Sequence, residues 1–161
     1  TRRVVLMRSV KGFTLIELMV TIVLAAIVIS IALPPFERSI ASSQLQSTTQ
    51  DLIATINTAR MQSVSTRQNI TISPDGGSWS NGWALAYGAD AVEQDVAFET
   101  AGKVSVTRED SVGPITFLSR GGVVGGGAEL SVCHSDGTIN GRTVSLNFLG
   151  KVTTATKVDC P

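Results

Sequence analysis

The sequence predicts an α+β fold in which one long N-terminal helix is followed by a set of short antiparallel strands. Three observations predict it. An apolar run of 21 residues, Phe13 to Leu33, carries a single charge at Glu17. From Phe36 to about Arg67 the apolar residues recur at helical spacing. From Asn69 onward the pattern changes to a period of two, punctuated by Gly, Pro, Asn and Asp. Helix and strands segregated along the chain in this order favour α+β over an alternating α/β arrangement.

Composition narrows the function. The chain has 161 residues, enough for one core and too few for two. Apolar residues make up 43% and charged residues 16%, the latter low beside the roughly 25% of ordinary soluble domains. So apolar a chain buries enough surface to offset its ordering entropy, which excludes intrinsic disorder. Thirteen Lys and Arg balance thirteen Asp and Glu, so the cationic excess of a nucleic-acid coat protein is missing.

The first element is the apolar run. At about 1.5 Å per residue it spans roughly 31 Å as a helix, the hydrocarbon thickness of a bilayer. Arg8 and Lys11 precede it, with Arg2 and Arg3 farther out, and Glu37 and Arg38 follow. That excess of upstream cations holds the N-terminus in the cytoplasm and sends the rest of the chain across the membrane. The run exceeds the roughly 7–15 residues of a secretory h-region. No small-residue cleavage site follows; Pro34-Pro35-Phe36 stands there instead. The segment is therefore expected to stay on the mature protein, and a plain membrane anchor remains open on these facts.

Pro34 and Pro35 each remove a backbone donor and crowd the preceding turn, so the helix register is interrupted there. Beyond them Leu45, Leu52, Ile56, Ala59 and Val64 lie near one stripe, while Gln44, Gln50, Asp51, Asn57 and Gln62 fall largely away from it. This stripe is expected to dock on a sheet, because it is too short for several sustained coiled-coil heptads. The strands expected next are Asn69–Ser73, Trp83–Tyr87, Lys103–Arg108, Ile115–Leu118, Glu129–Cys133, Thr143–Phe148 and Lys151–Thr156. Pro74-Asp75-Gly76-Gly77, Asp136-Gly137 and Asn140-Gly141 carry turn chemistry. Gly121 to Gly127 reads as a flexible loop. It is a poor phosphate cradle, since no Gly-Lys-Ser/Thr and no helix follow it.

No catalytic constellation stands out, and no cofactor or metal is expected. Ser131, His134 and Asp136 are near in sequence, but strand alternation splays such neighbours apart, and a lone His at a strand end is expected to be solvated. Asp75, Asp90, Glu93 and Asp95 are scattered over loops without calcium-loop spacing. Cys133 and Cys160 lie beyond the membrane segment, in an oxidising compartment, and a bridge between them would tie the C-terminal strand to the sheet. A zinc site is the rival, but two cysteines and His134 fall short of four ligands.

Glu17 needs a reason. A carboxylate in a membrane helix costs about 2.5–3.5 kcal/mol on insertion scales. Gly12-Phe13-Thr14-Leu15-Ile16-Glu17, behind a short basic leader and ahead of an unbroken apolar helix, resembles the class III leader junction of type IV pilins and pseudopilins. The resemblance implies that residues 1–12 are a leader, cut between Gly12 and Phe13 by prepilin peptidase, a membrane-embedded aspartyl peptidase. It implies that Phe13 is then N-methylated and that Glu17 pairs with such an N-terminal amine to set register in a filament. Gly12 lets a protease reach the backbone unhindered. Met7 is expected as the true start, with Thr1 to Leu6 an artefact of start assignment. Cleavage removes four of the thirteen basic residues, leaving nine against thirteen acidic ones and a net charge of about −4.

Pilins commonly carry a proline at the position of Pro34, where the helix bends without ending. The remainder resembles the GspH/FimT-like minor pilins and pseudopilins, of the FimU/FimT type. The residues that carry this are Ala59-Arg60, Ser63-Val64, Trp79, Gly82-Trp83, Ile115-Thr116-Phe117, Gly121, Leu130-Ser131-Val132-Cys133, Gly141-Arg142 and Gly150-Lys151-Val152. The resemblance implies a long helix packed against two small β-sheets. It divides the chain into the leader, a transmembrane or filament-core helix over 13–35, and a periplasmic domain over 36–161. It implies a single-pass inner-membrane protein that enters a pilus or pseudopilus fibre with other minor and major pilins. The first expectation is a minor pilin of a type IV pilus priming or tip complex, with no enzymatic activity. An H-type pseudopilin of a type II secretion system is an alternative. A third is a DNA-binding minor pilin of natural transformation. Some relatives of that kind carry Gly-Arg-x-Arg near the last strands, where this chain has Gly150-Lys151-Val152-Thr153 and Gly141-Arg142-Thr143-Val144. Lys151 and Arg142 are thus the candidate DNA contacts. From Arg120 to the end four cations face three carboxylates, a net of +1 and a slight steering field.

Overall fold

In the computed structural model, residues 12–87, 96–110, 113–135, 137, 139–157 and 159–160 are described, with side chains at 32–35 excepted. Residues 1–11, where most of the expected leader falls, the segment 88–95 and Asp136 lie outside them. Helical backbone, α1, runs Leu15–Thr66. It starts where Thr14 supplies a cap: the Glu17 backbone N–H donates to Thr14 Oγ1 at 3.3 Å, and Leu18 N–H donates to Thr14 O at 3.2 Å. The backbone stays helical through Pro34 and Pro35. Their side chains, where the bend is expected, lie outside the described residues. The chain forms two compact units, Thr1–Glu37 and Arg38–Pro161.

The second unit holds the core. On its part of α1, Ala41, Leu45, Thr48, Leu52, Ile56, Ala59 and Ser63 are buried, a stripe stepping by three and four residues as an amphipathic helix requires. Val64 departs from expectation and is exposed. It lies five residues after Ala59, well off the stripe, and Ser63 takes the inward position. Ser63 fits there because its hydroxyl donates to Arg60 O at 2.7 Å, so no polar group is left bare.

Eight strands form two four-stranded antiparallel sheets. They are β1 Ile70–Pro74, β2 Trp83–Ala86, β3 Val96–Phe98, β4 Val104–Arg108, β5 Ile115–Phe117, β6 Gly127–His134, β7 Gly141–Asn147 and β8 Val152–Lys157. One sheet has the order β3-β2-β1-β5 and the other β4-β6-β7-β8. Seven strands fall where alternation places them. The eighth, β3, arises inside a stretch with no predicted element. Its three residues are held by pairing Trp83 with Phe98, whose rings stack with centroids 6.1 Å apart. Trp83, Ile72, Phe117, Leu130, Val132 and Val144 fill the space beneath α1. The Trp83 indole N–H donates to Thr55 Oγ1 at 3.1 Å, which fixes the helix to the first sheet.

Two turns differ from expectation. Gly141 opens β7 opposite Lys157 rather than sitting in a turn. A Cβ there would run into Cys160 Sγ and stand 2.6 Å from Val132 O, so the position is glycine for space. The Gly121–Gly127 segment is tethered at its start: Arg60 Nε donates to Gly121 O at 3.3 Å and Val123 N–H to Phe148 O at 3.1 Å.

Candidate functional site

Every described residue from Gly12 to Ile31 is exposed, including Phe13 at 84% and Ile31 at 72%. A helix apolar on all sides and uncovered by its own chain is built for surroundings other than water. The window over this half of α1 has a mean hydropathy of 2.7, sufficient in length and composition to cross a membrane. Four polar side chains interrupt it. Thr14 caps the helix, Thr21 Oγ1 donates to Leu18 O at 2.7 Å and Ser30 Oγ to Ile27 O at 2.8 Å. Each hydroxyl is thereby satisfied within the helix, as apolar surroundings demand. Among the described residues the Glu17 carboxylate alone has no such partner. Thr14 and Glu17 stand in the Thr-x-x-Glu spacing of a capping box. This spacing is a local signal that went unread in the sequence. It places the carboxylate in the first helical turn, where the helix dipole favours negative charge.

In the second unit the residues named from sequence separate. Cys133 and Cys160 are joined by a disulfide, with Cα atoms 5.6 Å apart. His134 is not solvated: it is buried, and Nε2 hydrogen-bonds with Gln44 Oε1 at 3.2 Å. Gln44 had been placed away from the docking stripe; its length lets the amide reach inward from the stripe's edge. Ser131 and His134 lie three residues apart on β6 and so on opposite faces. Ser131 belongs to a different group, in which Lys157 Nζ donates to Glu109 Oε1 at 2.6 Å and to Ser131 Oγ at 2.8 Å. The Glu109 carboxyl is held below its ordinary range first by the Lys157 hydrogen bond, then by that of Ser131. The neighbouring Asp110 carboxyl is lowered chiefly by Arg108, whose Nη2 lies 2.7 Å from Oδ2. Among the described residues no group of three His, Cys, Asp or Glu side chains is placed to hold a metal ion.

Arg142 and Lys151 are not brought together. Arg142 pairs with Thr156 near the start of β7, whereas Lys151 lies beside Asn147 at its end. Five residues at about 3.3 Å each separate the two by roughly 17 Å. Gly150, the residue before Lys151, lies against Arg60: a Cβ on Gly150 would sit 2.8 Å from Arg60 Cδ. The positive φ of 77° at Gly150 closes the β7–β8 turn and permits that approach. Sequence reasoning gave Arg60 no partner, because a contact between a helix and a hairpin 90 residues later leaves no local signal.

Comparison with known proteins agrees with this architecture. A family model described as "Type II transport protein GspH" matches residues 48–150, well over half of the chain. The chain belongs to the GspH family. A second model, the prokaryotic N-terminal methylation motif, matches residues 7–33 of this GspH-family chain, a stretch that includes the apolar run. No curated protein sequence matches. Among solved structures, the type IV minor pilin FimU of Pseudomonas aeruginosa strain PAO1 is 24% identical. It covers 80% of this chain and 97% of its own, with a TM-score of 0.60. A second crystal form of FimU gives 21% identity and a TM-score of 0.56, over 72% and 96% of the two chains. The minor pseudopilin EpsH of the Vibrio cholerae type 2 secretion system is 10% identical over 70% of this chain and 97% of its own, with a TM-score of 0.54. The GspH-family chain thus has the type IV pilin-like fold, a long helix on two small antiparallel sheets, with the disulfide on the second sheet.

Proposed function

We propose that this GspH-family chain is a minor pilin of a type IV pilus, assembled with other minor and major pilins into the priming or tip complex. Residues 1–12 are the leader, and prepilin peptidase cuts between Gly12 and Phe13. Phe13 becomes the methylated N-terminus, the 13–35 segment crosses the inner membrane and later lines the filament core, and 36–161 is periplasmic. The chain acts by assembly and not by catalysis. The observation that carries this reading is the unpartnered carboxylate of Glu17 in a helix whose other polar side chains are satisfied internally. A cationic N-terminal amine of an adjacent subunit would satisfy it on assembly, which makes the charge a register pin.

Mass spectrometry of the protein from sheared fibres of its native host tests the reading. The expected result is a chain starting at N-methylated Phe13; an intact leader in the fibre fraction, or absence from it, rejects it. The family description also favours a second reading, the H-type pseudopilin of a type II secretion system. Disruption of the gene separates the two: lost surface pili with normal exoprotein export supports the first, and the reverse supports the second. DNA contact through Arg142 and Lys151 is the third reading, and their separation along β7 keeps the two from acting as a pair.

A further inference from the structure

We infer that the end of the second unit where α1, the Gly121–Gly127 segment and the β7–β8 turn meet is a protein-docking surface. Its partner is a neighbouring filament subunit that presents an apolar segment rimmed by carboxylates. The inference rests on the assembly reading above and adds which face is used and what chemistry it takes.

The apolar part is concentrated. Met61 and Val64 are 66% and 51% exposed, Val124 52%, Phe148 62% and Leu149 57%. Among the described residues of the second unit these are five of the seven large apolar side chains left strongly exposed. Three observations place the segments that carry them near one another. Met61 and Val64 share a helix face by their spacing of three. Val64 Cγ2 would lie 3.0 Å from a Cβ on Gly121. Val123, next to Val124, hydrogen-bonds to Phe148 O. A patch of this kind on an otherwise well-buried domain marks an interaction site.

The charged part has one sign. Arg60 lies against Gly150, the residue before Lys151, and Arg120 precedes Gly121, whose Cβ would stand 3.5 Å from Arg60 Nε. Arg67 follows α1 and lies two residues from Asn69, which accepts from Ser119 N–H at 3.1 Å. Among the described residues none of these four cations is paired with a carboxylate, in contrast to Arg108 and Lys157. An apolar centre with an unpaired basic rim complements an apolar segment with acidic flanks. The five apolar side chains favour a protein over a nucleic acid, whose interfaces are more polar.

The test uses the full chain in its native host with Phe148→p-benzoylphenylalanine, whose side chain points into solvent, followed by photocrosslinking in cells and peptide mapping. The expected adduct is to an apolar, Asp- or Glu-containing segment of another leader-processed subunit. Arg120→Glu with Lys151→Glu should cut its yield roughly tenfold at unchanged protein level and disulfide content. Asp or Glu→Lys in the crosslinked segment should restore it. No adduct, an adduct to DNA or lipid, or one indifferent to the charge reversals overturns the inference. N-terminal methylation and presence in sheared fibres are scored separately. Failure of the surface and failure of the filament reading are therefore told apart.

Discussion

The bridge between Cys133 and Cys160 closes a loop set by a sequence separation of 27. Chain entropy for about 28 residues gives roughly 3.5 kcal/mol of stabilisation, exerted on the unfolded state. Replacing both cysteines by Ala should therefore lower the Tm of the Arg38–Pro161 unit by about 10–15 °C. The denaturant slope should rise, because the unbridged unfolded chain exposes more surface. Thermal unfolding and urea unfolding, each followed by tryptophan fluorescence, read the two quantities, since Trp79 and Trp83 are buried. Gly141→Ala gives an independent check. Its methyl would collide with Cys160 Sγ and, at 2.6 Å, with Val132 O. Overpacking of this kind costs about 1–3 kcal/mol. Because the second collision is with backbone, the cost should fall but persist once the bridge is removed. A Tm change under about 4 °C on losing the bridge, with an unchanged slope, would refute the view that it restrains the C-terminal strand.

Thr55→Val leaves the Trp83 indole N–H buried without its acceptor. It should cost about 1–3 kcal/mol in the same assay, whereas Thr55→Ser should be nearly neutral. Glu109 has a lowered carboxyl pKa in the fold, so its contribution is present above the unfolded value and is lost as pH falls through the folded one. The Tm difference between wild type and Glu109→Gln should be largest near neutral pH, shrink as pH falls below the ordinary glutamate value of about 4.3, and vanish only below the lowered folded one. Glu17→Ala should leave membrane insertion and the β-domain intact yet lower the amount of protein in sheared fibres, measured against the total by immunoblot. Equal incorporation would remove the register argument.

Most of the fold was legible because its signals are local. Alternation of Val, Ile and Thr fixed seven strands, and the stripe from Leu45 to Ala59 fixed the buried helix face. The strand β3 escaped because three residues, two of them exposed and one half-buried, carry no period; its existence depends on Trp83 and Phe98 meeting across the sheet. His134 escaped for a related reason. A polar side chain at a strand end is solvated by default, and the hydrogen bond with Gln44, 90 residues away, helps to make its burial tolerable. At the candidate site the sequence displayed the anomaly, one acid in an apolar rod, without showing that Thr21 and Ser30 are satisfied internally. It also offered Arg142 and Lys151 as separate candidate DNA contacts, and the hairpin register sets them at opposite ends of β7, with Gly150 beside Lys151 lying against Arg60.

The energetics of Glu17 give the helix a direction of travel. In a bilayer the apolar side chains from Phe13 to Leu33 lose little by exchanging lipid for neighbouring helices, since both surroundings are apolar. Burial alone therefore supplies weak preference for a fibre over the membrane. On the proposed filament reading the carboxylate would break that near-degeneracy. If pairing with a neighbour's amine relieves a penalty of about 3 kcal/mol, the assembled state gains roughly a hundredfold. That gain requires the amine and the acid to meet at one axial offset, because electrostatic pairing falls off with distance while apolar contact does not discriminate among offsets. On the proposed filament reading, the apolar surface would make assembly permissible, and the single charge would make it favourable at one register.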